Sequence, residues 1–455
     1  MSVSSAERAG GAAAGPPSVS PEARRTTLWL AALGALGAVA AYLAKWPCRF
    51  GGAWSDGTQY AAGCYSDVFP LYFRDALDSG SVPYLDVPTE YPVLTGGLMY
   101  AIARGVSWLP DETARALGYF DLTAAVMGVC LVATVLGIGH IAGRGGIAPV
   151  PGAAFRPRAA LLAGGLVALA PAAVLTGLIN WDLLAVALFT GGLVAYAHGR
   201  QWSAGALFGL ATAAKFYPFL VFGPLFVLMV RELVRREGGP GAVTVGGFLR
   251  PLAAGALAWG AVNLPVYLAA PRNWATFFTF SQERGTDWGS LYYALGGYGV
   301  FPSGDLDLVN ATGMATLVAA CAGVAALAVL ARRRPPLEQL VLLVVAAFLL
   351  TNKVWSPQFV LWLLPLAALA WPRRLPAAPA LVVFGLWQLA ETGYFFGIWQ
   401  HLLWVTQQGG TAVPGSGTGL DVGAYSLLLL GRWTTVLAVC VLTVVDNLRG
   451  GRSTV

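Results

Sequence analysis

Charge is what this chain lacks. Only 11% of its 455 residues are Asp, Glu, Lys or Arg, against about 25% in an average soluble domain. So few charges cannot cover the surface of a soluble fold of this size. That excludes a soluble enzyme, a disordered scaffold and a nucleic-acid binder. Histidine is scarcer: His140, His198 and His401 are the three present, and they lie far apart. No HExxH, GxSxG or P-loop sequence occurs, so zinc-protease, serine-hydrolase and P-loop nucleotide chemistry have no anchor. The expectation is no required metal and no cofactor. Cysteine is also sparse, at five residues, and Cys130, Cys321 and Cys440 sit in apolar runs as small core side chains.

What the chain has is long apolar runs; 57% of it is AVILMFWYC. These runs predict an all-α, polytopic integral membrane protein, since weak ten-residue alternation, the mark of an outer-membrane barrel, is absent. Twelve spans are expected, at about 28–45, 117–140, 159–178, 181–197, 203–214, 217–231, 251–270, 312–331, 337–352, 357–371, 377–397 and 424–446. Residues 1–27 read as a disordered cytoplasmic tail rather than a signal peptide, because no small-residue cleavage site follows the first run. Residues 28–446 read as one transmembrane domain and 447–455 as a cytoplasmic tail. No internal repeat is evident.

Residues 92–108 are apolar enough to span, and the positive-inside rule decides their fate. If they do not cross, 18 of the 28 Lys and Arg fall inside and 10 outside; if they do, the numbers reverse. The segment is therefore expected to be re-entrant or to lie along the outer face. This leaves a long first outer loop, 46–116, carrying interfacial helices, with further outer loops at about 271–311 and 398–423. Both termini face the cytoplasm. The net charge of +6 follows from Lys and Arg kept in short inner loops.

Chemistry should then sit on the outer face. In Cys64–Gly80, Phe69, Tyr72, Phe73, Ala76 and Leu77 share one helical face, with Asp67 at the helix start. Asp67 is either an N-cap or a catalytic base at the membrane surface. Cys48 and Cys64 enclose fifteen residues of the same loop, as a disulfide in an oxidising compartment or as two free thiols. The prolines of Pro83–Pro92 force a rigid path that holds Glu90 and Tyr91. Lys215, Lys353, Arg284 and Arg432 lie near outer span ends. Each alone is explained by snorkelling; four on one face point to a bound phosphate. Asp182, in Asn180-Trp181-Asp182, is a partner for one of them or a ligand for a sugar hydroxyl.

Five short motifs in order carry a resemblance: Tyr65-Ser66-Asp67, Glu90-Tyr91-Pro92-Val93-Leu94, Asn180-Trp181-Asp182, Ala214-Lys215-Phe216-Tyr217-Pro218 and Asn352-Lys353-Val354-Trp355-Ser356-Pro357-Gln358. Together they resemble glycosyltransferase family 87, the actinobacterial GT-C type membrane enzymes that include α-1,2-mannosyltransferases using polyprenyl-phosphomannose. The resemblance implies an extracytoplasmic active site in the plasma membrane. It implies inverting transfer from a polyprenyl-phosphate sugar to a glycolipid or glycan hydroxyl, by a monomer surrounded by membrane lipids and without nucleic-acid partners. It places the catalytic aspartate at Asp67. Lys215, Lys353, Arg284 and Arg432 become the donor-phosphate set, and Glu90, Tyr91, Asn180, Asp182, Ser356 and Gln358 the substrate contacts. The family's mannosyltransferases also carry a functional histidine late in the chain, and His401 lies outside every matching motif. The alternatives are a lipid-linked-sugar transporter, an arabinofuranosyltransferase of the same fold, and a non-catalytic assembly scaffold.

Overall fold

The computed structural model describes residues 21–149, 152–413 and 415–449. It is helical throughout; among the described residues there is no β-strand, only an isolated bridge between Pro83 and Val87. Seven helices are long and apolar enough to cross a membrane: Pro21–Leu43, Glu112–Gly143, Tyr217–Arg235, Val245–Ala269, Leu306–Leu330, Ala377–Gln408 and Val422–Leu448. Five shorter segments complete the expected twelve: Pro157–Ala168 with Pro171–Thr176, then Asp182–Ala197, Gln201–Ala214, Leu337–Thr351 and Pro357–Leu369.

The short segments are short for a physical reason. Every residue of Val360–Leu369 is buried, as are most of Leu337–Thr351. Helices surrounded by protein need not match the hydrocarbon thickness that sets about 20 residues for a lipid-facing span. Val245–Ala269 and Leu306–Leu330 lie at the other extreme. They turn Leu257, Leu268, Met314 and Val318 outward and bury little of themselves. Close packing between helices uses glycine: a Cβ at Gly205 would run into the backbone of Pro251, and one at Gly209 into that of Gly255. This i, i+4 glycine pair lets two helix backbones touch, which is how apolar helices associate where lipid offers no hydrophobic drive.

Some expected boundaries shift. The first helix covers Pro21–Leu43, so residues 21–27 of the expected tail are helical; residues 1–20 and 450–455 lie outside the described set. Ala377–Gln408 runs well past residue 397, which shortens the connection that follows. The expected span 159–178 breaks at Leu169-Ala170, because Pro171 has no N–H to donate and pushes Ala170 into extended backbone (φ −59°, ψ 127°). In the first long connection, the helix expected to include Leu77 is only Val68–Arg74. Ala76 adopts φ 51°, Ala76 N donates to Phe73 O and Leu77 N to Tyr72 O. That closure ends the helix with a left-handed residue and still seats Leu77 in the core at 3% exposure.

The connections sort by parity. His140, ending the second crossing, stacks on His198, ending the fourth, with ring centroids 5.1 Å apart. On that same face Arg334 pairs with Glu232, and Arg373 with Glu338. Asp446 there accepts from the backbone N–H groups of Arg373, Arg374 and Leu375. The alternate connections meet at the other end, around one cavity. Arg49 pairs with Asp121 at 2.7 Å, tying the end of the first crossing to the start of the second. The helix Val93–Val106 between them is about 21 Å long at 1.5 Å per residue.

Candidate active site

The cavity holds about 850 Å³, within the usual range for a small-molecule site. Every connection on its face, or the helix end beside it, contributes a wall.

Asp67 stands at the N-cap position of Val68–Arg74, yet its carboxylate makes no capping bond. Ser66 does that work instead, its Oγ accepting from Val68 N at 3.2 Å while donating to Leu178 O at 2.7 Å. Asp67 is anchored by its backbone, N donating to Ile179 O at 2.7 Å. The carboxylate is thereby left to the cavity wall. Tyr65 Oη donates to Oδ1 at 2.8 Å and Tyr91 Oη to Oδ2 at 3.3 Å. Burial pushes the Asp67 carboxyl above the usual range, while Tyr65, the nearby Lys215 charge and Tyr91 pull it back. Tyr65 is in turn held protonated, chiefly by the Asp67 charge beside it.

Asn180 orients this pair from the next connection. Its Nδ2 donates to Tyr91 Oη at 3.4 Å and its Oδ1 accepts from Asp182 N at 2.9 Å. Asp182 is buried at 2% exposure behind the wall and does not reach the cavity. It pairs with Lys215 Nζ at 2.9 Å and accepts from Trp362 Nε1 at 2.9 Å. Lys215 itself does face the cavity, with its ammonium 5.1 Å from the Tyr91 ring centroid and 5.2 Å from that of Phe359.

The remaining expected residues divide. Arg284 lines the cavity and pairs with Asp287 at 2.8 Å. Glu90 lines it and pairs with Arg74 at 3.1 Å. Ser356 and Gln358 line it too. Lys353 and Arg432 do not. Lys353 is 8% exposed and donates to Gln282 O at 2.7 Å. Arg432 is fully buried between the rings of Trp355 and Tyr394, pairs with Glu391 at 3.0 Å and donates to Trp355 O and Ser356 O. Both face protein because a carbonyl or carboxylate inside the bundle meets their charge. His401 is likewise structural: its ring nitrogens face Tyr293 Oη at 2.6 Å and Leu420 O at 2.9 Å, and it is fully buried. Cys48 and Cys64 are joined by a disulfide, both residues buried beside the Tyr65–Asp67 segment.

Several residues in or behind the cavity wall carry no local sequence signal. Lys45 is fully buried behind Tyr65, where Nζ donates to Tyr65 O at 2.8 Å and Leu175 O at 3.3 Å. Burial lowers its pKa to about 7, against the opposing pull of Asp67. Trp399 lines the cavity from inside an otherwise ordinary apolar span. Arg74 reads in sequence as the polar face of an amphipathic helix, not as cavity lining. The aromatic run Phe277, Phe278 and Phe280 on helix Pro271–Glu283 reads only as part of a long connection. Among the described residues, no three His, Cys, Asp or Glu side chains gather as a metal site.

The protein is thus polytopic and helical, with an aromatic-walled cavity among the connections of one face. The model of glycosyltransferase family 87 matches residues 90–352, and the chain belongs to that family. It is thus a multi-pass membrane glycosyltransferase, which sets aside the transporter and scaffold alternatives. No curated protein matches the chain. The matched segment includes Glu90, Tyr91, Asn180, Asp182, Lys215 and Arg284, and begins after Asp67.

Proposed function

We propose that the protein moves a sugar, mannose being the first candidate, from a polyprenyl-phosphate donor to a hydroxyl of an extracytoplasmic glycolipid or glycan. The stereochemistry inverts, and Asp67 is the general base. One observation carries this reading. Of the three carboxylates lining the cavity among the described residues, Glu90 is neutralised by Arg74 and Asp287 by Arg284, while Asp67 is held by two phenols. A base needs an available lone pair and a pKa raised toward the working pH; Asp67 has the setting for both.

In the proposed step, the acceptor oxygen forms a bond to the anomeric carbon as the bond from that carbon to the phosphate oxygen breaks. The acceptor proton passes to Asp67. The electron pair leaves on polyprenyl phosphate, whose charge Lys215 and Arg284 meet as it develops. The phenylalanine wall at Phe277, Phe278 and Phe280 offers the polyprenyl chain an apolar surface. The cavity face is read as extracytoplasmic because the Lys and Arg excess lies at the other face. A disulfide next to the cavity agrees with an oxidising compartment.

The test is direct. Purified protein is incubated with polyprenyl-phosphomannose or polyprenyl-phosphoarabinose, each with a membrane glycolipid extract. Transfer of mannose with inversion supports the reading. Transfer from arabinose alone replaces the sugar and keeps the mechanism. Transfer from neither, with a nucleotide sugar accepted instead, overturns the donor class.

A further inference from the structure

The cavity has two chemically different ends, and Asp67 stands between them. From one side runs Trp399 and Tyr60 to Tyr65 to Asp67; from the other, Asp67 to Tyr91 to Lys215. At the Lys215 end the ammonium faces the rings of Tyr91, Phe359 and Trp362, and the adjacent Phe216 touches Phe277 and Phe278, which also line the cavity. At the other end Tyr60, Tyr65 and Trp399 form a compact aromatic cluster. Tyr60 and Trp399 are nearly parallel at 12° with centroids 6.1 Å apart, and Tyr65 lies 5.7 Å and 4.8 Å from them. All three line the cavity.

We propose that the Tyr60–Tyr65–Trp399 cluster is the acceptor subsite and that it takes an uncharged pyranose ring. The inference rests on the reading of Asp67 as base and Lys215 as a phosphate contact. Inversion requires the nucleophile to enter opposite the leaving group. With the phosphate held at Lys215, the attacking hydroxyl reaches Asp67 from the Tyr65 side. Aromatic faces carry negative quadrupole density, which attracts the weakly positive axial C–H groups of a pyranose, and the Tyr60 phenol adds a polar edge for its hydroxyls, while the Tyr65 hydroxyl is held by Asp67. Charge argues for a neutral ring. The cation near this end that lines the cavity, Arg74, already pairs with Glu90 and Asp75, and Lys45 donates to two carbonyls behind the wall. Lys215 and Arg284 each meet one carboxylate and Arg74 meets two, so a phosphorylated head group would find less positive charge here than at the Lys215 end.

Saturation-transfer NMR on the full-length protein tests this, with methyl α-D-mannopyranoside and methyl β-D-glucopyranoside as probes and acyclic D-sorbitol as control. The expected result is saturation on the ring protons of at least one pyranoside and none on sorbitol. That signal falls at least fivefold in Tyr60→Leu and Trp399→Leu, and holds in Tyr60→Phe, Asp67→Asn and Lys215→Ala. Tyr60 lies on the short helix Thr58–Ala61, none of whose residues is fully buried, so its variants report on binding even if Trp399→Leu fails to fold. Equal signal from sorbitol, no change in Tyr60→Leu, or loss in Lys215→Ala overturns the subsite. Wild-type turnover by Asp67→Asn sinks the proposed mechanism instead, and leaves a Tyr60-dependent pyranoside signal standing.

Discussion

Lys215 and Arg432 sit at the same end of the molecule and carry the same charge, but they do different things. Lys215 keeps 15% of its side chain exposed and turns its ammonium to the cavity, with Asp182 behind it. Arg432 exposes none and spends its donors on Glu391 and on the carbonyls of Trp355 and Ser356. The first charge faces a space that a substrate can fill. The second shapes the segment that presents Ser356 and Gln358 to that space. A cation near a span end is therefore informative only once its partners are known.

Variants can sharpen this contrast. The largest effect is expected for Arg432→Ala, which strips Glu391 of its ion-pair partner inside the bundle and leaves it the Trp387 indole N–H alone. Removing one partner of a buried pair costs about 3–5 kcal/mol, so thermal unfolding in detergent should move down sharply, and turnover should be lost with the fold. An unchanged melting temperature would show that Arg432 does not hold the bundle together. Next, Lys215→Ala should raise the apparent KM for the polyprenyl-phosphate donor about tenfold, a loss of about 1.4 kcal/mol. A rise in acceptor KM alone would move Lys215 to the wrong end of the cavity.

A smaller effect separates the groups around Asp67. The base works deprotonated, so turnover should rise with pH through its pKa, which burial places above that of an ordinary aspartate. Tyr65 stabilises the ionised form through its hydrogen bond. Tyr65→Phe should thus shift the acid limb of the pH profile upward, by about half a unit to one unit. A downward shift contradicts the assignment. Smallest of all, Lys353→Met should leave donor KM within about twofold of wild type, since its ammonium meets a backbone carbonyl rather than substrate.

The fold was largely legible because scarcity of charge is a global property, and parity propagates it. Counting Lys and Arg by side argues against a crossing at 92–108, where the structure has the helix Val93–Val106, and the Arg49–Asp121 pair holds the two ends of that connection together. Cavity-lining residues were legible where they sat in polar connections between apolar runs, as Asp67, Asn180, Lys215 and Ser356 do. Direction was not legible. Sequence places Lys353 at a span end but cannot show that Gln282 O, 71 residues away, waits on its inner side. Trp399 was hidden because the sequence reading ends the span at 397 and leaves it as one aromatic in a long connection, whereas the helix runs on to Gln408 and carries its ring to the cavity. The break at Pro171 was visible as a proline, but not as an opening whose end meets Lys45 through Leu175 O.

The central claim is that Asp67 accepts the proton. Single-turnover transfer from radiolabelled polyprenyl-phosphomannose to a glycolipid extract, with donor binding measured on the same samples, compares Asp67→Asn with wild type. The account predicts unaltered donor binding and transfer slowed by about 10²–10⁴-fold, the usual contribution of a positioned general base. Transfer within a few-fold of wild type, in a variant that binds donor normally, contradicts it.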